Sequence, residues 1–193
     1  THFSYDGVIS LVWPSSGLAV AALVLGGNKY SLGVYAGSFL ANLLVGSSLG
    51  VSLLIALGNT AEAIFGAWLL VSIFKIDIKL IEPRDYFWLS VAGAICSLVS
   101  ATNGVVVLLL SGFMTLAALP QGFLNWWMGD VLGIMMMTPL ILIWRHFPFE
   151  WLNRRRLFEC ALCVSGSVIT GQAVFFGWFE SSLGLVARDY WAF

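Results

Sequence analysis

Charged side chains are scarce: 9 Lys and Arg and 10 Asp and Glu make up 10% of 193 residues, against roughly 25% in an ordinary soluble domain. So few cannot clothe the surface of a water-soluble fold of this length. The net charge is −1 and no basic stripe interleaved with aromatics occurs, which argues against nucleic acid as a partner. Cysteine is nearly absent. Cys96, Cys160 and Cys163 all lie inside apolar runs, and the Cys160/Cys163 pair, although spaced like a redox or zinc motif, has no second pair and no nearby histidine, so packing is the simpler role. The two histidines, His2 and His146, have no partner at metal or haem spacing. No glycine-rich phosphate loop, nucleotide fingerprint or nucleophile with an apposed base is present. Neither catalysis nor a cofactor is expected of this stretch. A secretory signal is lacking too, since the chain opens on Thr1 with no basic segment before its first apolar run, and it reads as an excerpt of a longer protein.

What is abundant is hydrophobicity: 60% of residues, with a mean hydropathy of +0.93. A helix crossing a bilayer needs about 20 mainly apolar residues, and only helices or closed barrels satisfy their backbone there. Barrel strands would alternate, and these runs do not. The chain therefore reads as an all-α, polytopic transmembrane bundle of one domain. Six segments are expected: Val8 to Gly26, Ser31 to Leu49, Val51 to Phe74, Tyr86 to Leu110, Gln121 to Trp144, and Leu157 to Phe179. Lys29 falls in the first connection, Lys75, Lys79 and Arg84 in the third, and Arg145 with Arg154, Arg155 and Arg156 in the fifth. Basic residues mark cytoplasmic connections, so the odd connections are expected inside and both ends of this stretch outside. One further span at each end would bring the whole domain to about eight. Trp151 and Leu152 beside the triple arginine fit either an inner interfacial stretch or an ordinary basic loop, and Arg188 to Trp191 an outer anchor.

An ionisable group within a span costs at least about 2.5 to 3.5 kcal/mol on insertion scales, so each needs a reason. Glu62 and Asp130 qualify. Counted at 1.5 Å per residue, they lie roughly 16 and 14 Å from the outer ends of their segments, near the middle of a core about 30 Å thick. Glu159 and Glu180 lie near segment ends and can reach headgroups. The outer halves also hold Trp13, Pro14, Ser15, Ser16, Asn42, Asn59, Thr102, Asn103 and Asn125. If the bundle closes around them, they form an outward-facing polar pocket roofed by Trp13, Trp126 and Trp127. Two carboxyls at one depth in low dielectric point to a shared or transferred proton. The alternative is that both serve as polar glue, hydrogen-bonding across helices to Asn59, Asn103 or hydroxyls. The four-residue glycine spacings, Gly33 and Gly37, Gly58 and Gly66 around Glu62, and Gly129 and Gly133, read as close helix approach. Pro14 and Pro139 start or kink helices.

Three stretches recur together: Trp13 to Gly17 followed by Leu18 to Leu23, Gly58 to Ala63, and Trp126 to Gly133 leading to Thr138, Pro139 and Leu140. In this order they resemble the bacterial membrane-associated sensor family, MASE, of the first type. Weaker matches at Gly37 to Asn42, Arg84-Asp85 and Ser100 to Gly104 fall between them, and the likeness spans Val12 to Trp144. It implies a sensory module of about eight spans in the inner membrane, attached to a cytoplasmic histidine kinase or diguanylate cyclase, with no defined ligand and no cofactor. The expected partners are membrane lipids, an unknown small ligand, the attached output domain and a second copy of the chain. The competing readings are a small-molecule transport or substrate-binding subunit, and a scaffold that dimerises through glycine faces and recruits partners by its inner basic loops.

Overall fold

The computed structural model describes residues 13–145 and, beyond them, positions 155, 158, 159, 161, 162, 165 and 166. The regular structure of the described residues is all helical, with no strand among them. Five helices carry residues 13–145: α1 Pro14–Gly26, α2 Ser31–Leu44, α3 Leu49–Trp68, α4 Pro83–Leu110 and α5 Leu119–Trp144. Prolines open three of them, at the first or second helical position where no backbone donor is forfeited. A π-helical turn, Leu69–Ile73, extends α3, and a 3-10 turn, Leu116–Ala118, precedes α5.

Three of these stretches, Leu49–Ile73, Pro83–Leu110 and Leu116–Trp144, are long and apolar enough to cross a membrane. α1, expected from Val8, is described from Pro14, with residues 8–12 outside the described set. α2 departs from expectation. Its 14 residues end at Leu44 rather than Leu49 and rise only about 21 Å, less than the roughly 30 Å of a hydrocarbon core. Gly46 adopts φ 96°, and Ser48 caps α3 by accepting from the Val51 N–H, so the chain turns between Leu44 and Leu49 instead of continuing the helix. Of the sixth expected segment only positions 158, 159, 161, 162, 165 and 166 are described, all helical; the cysteine pair 160/163, both histidines, Trp151 with Leu152, Glu180 and the 188–191 anchor lie outside the described residues. Near them, Arg155 and Glu159 form an exposed ion pair at 3.1 Å, one helical turn apart.

Within residues 13–145, α1 packs on α5 and α3, α3 on α4, and α4 on α5, which closes a ring of four helices. α2 stands outside that ring, seated on α3 and barely touching α1. Two apolar cores fill the ring. One gathers Leu23, Leu70, Ile76, Leu80, Leu89 and Leu142; the other gathers Val51, Ile55, Leu108, Met114 and Trp126 at the opposite end. Lys29, Lys75, Lys79, Arg84 and Arg145 all belong to the connections and helix ends at the first of these. The other end, residues 45–48 and 111–118, has no charged residue.

α1 and α5 run parallel and very close. The Trp13 N–H donates to the Gly129 carbonyl at 3.0 Å, and the Thr138 hydroxyl donates to the Gly17 carbonyl at 3.0 Å. A methyl group on Gly133 would overlap the Trp13 carbonyl, and one on Gly17 the Gly133 carbonyl. Gly58 likewise accommodates the Asn103 side chain and Gly104 the Trp126 ring. Gly33 and Gly37 do not follow this pattern: nothing lies within 4 Å of a side chain built on either. Their spacing leaves open space rather than a close crossing.

Candidate functional site

Between the two apolar cores the ring of four helices holds a polar centre. Glu62 projects from α3 and Asp130 from α5, each only 1% exposed although each belongs to a residue type that is almost never fully buried unpaired. α4 supplies the residues that hold them. Ser97 and Ser100 lie three apart, hence on one face, with Cβ atoms about 5 to 6 Å apart. The Ser97 hydroxyl donates to Glu62 Oε1 at 2.8 Å and Ser100 contacts Asp130 Oδ2 at 2.8 Å, so the two carboxyls share one patch of α4. α1 closes the centre: Ser16, on its first turn, donates to Asp130 Oδ1 at 2.7 Å. Asp130 also faces the start of α1, the end of a helix that favours negative charge.

Ser100 has one hydroxyl hydrogen and three polar neighbours. Trp126 Nε1 donates to its Oγ at 3.0 Å, while Asp130 Oδ2 at 2.8 Å and Asn59 Oδ1 at 3.0 Å both lie where that hydrogen can go. The Asn59 amide is oriented by its Nδ2, which donates to Ser38 Oγ of α2 at 2.8 Å. One hydrogen satisfies one oxygen at a time. If Ser100 donates to Asp130, Asn59 Oδ1 faces it with no hydrogen between them. If Ser100 donates to Asn59, its contact with Asp130 is a hydrogen bond only when the carboxyl itself carries a proton. A proton on Asp130 therefore decides where the Ser100 hydroxyl points, and through Asn59 and Ser38 the choice extends to α2.

No described ion pair includes Glu62 or Asp130; the pairs present are Arg84 with Glu82 and Asp85, and Arg155 with Glu159. The hydrogen-bond partners of these buried carboxyls are serine hydroxyls, and no compensating cation is paired with them. Among the described residues no cluster of His, Cys, Asp and Glu is placed to hold a metal ion.

The expected site residues separate into groups. Glu62, Asp130, Asn59 and Trp126 converge on the polar centre with Ser16. Trp13 touches it through its backbone bond to Gly129, beside Asp130. Trp127 ties α5 to α4, donating from Nε1 to the Ala94 carbonyl at 2.8 Å, and Asn103 ties α4 to α3 through the Leu54 carbonyl at 2.9 Å. Asn42 is buried but donates to the Ser38 carbonyl of its own helix at 2.8 Å. Pro14 is exposed and begins α1, Thr102 is exposed, and Asn125 pairs with Gln121 on its own helix at 2.8 Å. The two carboxyls themselves are buried, with Trp126 packed against Gly104, while Trp13, Ser16 and Asn59 of the expected pocket line an open cavity beside them.

Ser97 and Ser38 carried no expectation of a role. Buried Asp85, in the first turn of α4, was expected only as part of the Arg84-Asp85 match; its Oδ1, 3.9 Å from Arg84 Nη2, accepts no hydrogen bond. An open cavity does exist, on the outer side of Asn59 between α1 and α2, with a volume of about 470 Å³.

Set against known proteins, residues 3–188 match the MASE1 family model, nearly the whole chain. No curated protein and no solved structure matches.

Proposed function

From the premise that this chain belongs to the MASE1 family, the membrane-associated sensory domains of signalling proteins, we propose that it is the signal-input domain of a bacterial histidine kinase or diguanylate cyclase. In this reading it crosses the inner membrane about six times within this stretch and about eight in the whole domain. The basic ends around Lys75, Lys79, Arg84 and Arg145 face the cytoplasm, where the output domain is attached. A second copy of the chain is the natural partner for an output domain that works as a dimer.

The observation that carries the reading is the centre shared by Glu62, Asp130 and Ser100. Three helices meet on one hydroxyl whose hydrogen has two alternative acceptors, and Asp130 extends the junction to α1 through Ser16 as Asn59 does to α2 through Ser38. A ligand, lipid or proton that favours one arrangement over the other changes how these helices hold together, and only such a difference in affinity can shift a conformational equilibrium. Burial without a counter-ion is the placement expected of functional rather than structural carboxyls in a membrane.

The test is signalling output of the full-length protein carrying Asp130→Asn or Glu62→Gln, with membrane abundance measured in parallel. Both changes preserve shape and remove the charge. Output locked in one state at normal abundance is the expected result. Normal, inducible output from both variants would reduce the carboxyls to polar glue.

A further inference from the structure

The cavity between α1 and α2 differs from the buried centre in being open, and its wall has a gradient. Serine and asparagine, as Ser16, Ser38 and Asn59, gather toward one end, while Ala22, Gly33 and Val34 line the other, which Tyr30 closes. Lining residues run from Ser15 to Ala22 on α1, two turns or on the order of 10 Å. Its volume of about 470 Å³ lies within the roughly 300 to 1,000 Å³ of small-molecule sites, which are mainly apolar with a few placed polar groups. The space exists because Gly33 and Gly37 face it with no side chain and no neighbour takes it up. The lining includes no charged residue. Lys29 lies over Tyr30 at the far end, but an ionised group brought to Ser38 and Asn59 would find hydroxyls and an amide and no counter-charge in the lining, in a setting where that is costly.

We propose that the crevice between α1, α2 and α3 is a binding site for a neutral amphiphile taken up sideways from the bilayer, a medium-length apolar chain with one uncharged hydrogen-bonding head. The chain lies along Gly33, Val34 and Ala22, and the head reaches Ser38 and Asn59. There it competes with the 2.8 Å bond between Asn59 Nδ2 and Ser38 Oγ. Asn59 offers its other atom, Oδ1, to Ser100 and so to Asp130, and Ser16, also in the lining, donates to Asp130 Oδ1, so two lining residues belong to the polar centre as well. A head group that turns the Asn59 amide alters what Ser100 can bond. This step rests on reading the domain as a signal-input module; the binding itself does not.

The experiment is photolabelling of the full-length protein in nanodiscs with decanol carrying a diazirine in its chain, adducts being located by mass spectrometry. Adducts should concentrate on α1 and α2 around the crevice. Excess plain decanol should suppress them and excess decyl sulfate, with its permanent charge, should not. Gly37→Leu fills the crevice and should lower labelling at least about tenfold, as expected when an occupant must overlap a side chain. Gly33→Leu should do the same from the next turn. Both leucines enter open space and replace helical glycines, so α2 should be as stable as before or more so, and lost labelling cannot be put down to misfolding.

Adducts spread evenly over lipid-facing positions such as Leu44 and Leu110, with equal yield in both glycine variants, would overturn the site and leave annular lipid only. Competition by decyl sulfate equal to that by decanol would overturn the neutral head. Labelling does not depend on output: if it holds while Asp130→Asn signals normally, the binding site stands and the input role of the carboxyls falls.

Discussion

Replacing Ser100 with alanine should cost far more than replacing Ser97, although the two serines are chemically identical, lie on one face of α4 and are both 0% exposed. The atom deleted is the same, so the cavity term nearly cancels between the variants and the difference reports the hydrogen bonds. Ser97→Ala removes one contact, to Glu62. Interhelical hydrogen bonds in membranes average about 0.6 kcal/mol and reach about 1.7, so that loss should fall in this range. Ser100→Ala leaves the Trp126 indole N–H without its acceptor and deprives Asn59 and Asp130 of their shared donor. Two bonds at a time, or three when Asp130 carries a proton, amount to about 1 to 4 kcal/mol, the upper part reflecting groups left buried and unpaired. Reversible unfolding in bicelles of both variants beside the parent protein would measure the two losses. Equal losses would show that Ser100 is not a three-way junction, and the coupling of Asp130 to α2 would fall with it.

Gly133→Ala and Gly37→Ala should separate in the same assay. The first drives a methyl into the Trp13 carbonyl, a backbone atom unable to move aside, and should cost about 1 to 3 kcal/mol with α1 loosened from α5. The second meets open space and should be neutral or stabilising by about 0.5 to 1 kcal/mol. Topology is open to single-cysteine labelling with an impermeant maleimide in a background with Cys96, Cys160 and Cys163 all changed to serine: Lys79→Cys should react only from the cytoplasmic side and Phe113→Cys only from the outside, and the reverse pattern would invert the orientation. With only Cys160 and Cys163 changed to serine, native Cys96, 0% exposed, should stay unlabelled in the folded protein.

The burial of Glu62 and Asp130 was legible in the sequence because a carboxyl in a long apolar run has one low-cost place, the interior of the bundle. Equal depth allowed them to meet, and they bond to neighbouring serines on one face of α4. The serines that hold them were less visible. A serine hydroxyl is cheap to bury and can bond its own helix, as Ser90 does with the Tyr86 carbonyl, so nothing in the pattern distinguishes Ser97 or Ser100 from it. Glycine spacing was ambiguous for a physical reason: it records where side chains are missing, which at Gly133 admits a neighbouring backbone and at Gly37 leaves a void. The early end of α2 turns on the positive φ of Gly46 and the Ser48 cap, which an apolar count over Ser31 to Leu49 does not register. Asn42 and Asn125 had the right depth but the wrong direction, each satisfied along its own helix.

The central claim, that Glu62 and Asp130 act as one unit through the serines of α4, is tested most directly by a double-mutant cycle on signalling output. Asp130→Asn, Glu62→Gln and the double variant are compared with the parent at matched abundance. A single shared unit predicts that each single change locks output and that the double variant behaves like either alone. Independent, additive effects of the two changes, or normal output from the double variant, would contradict it.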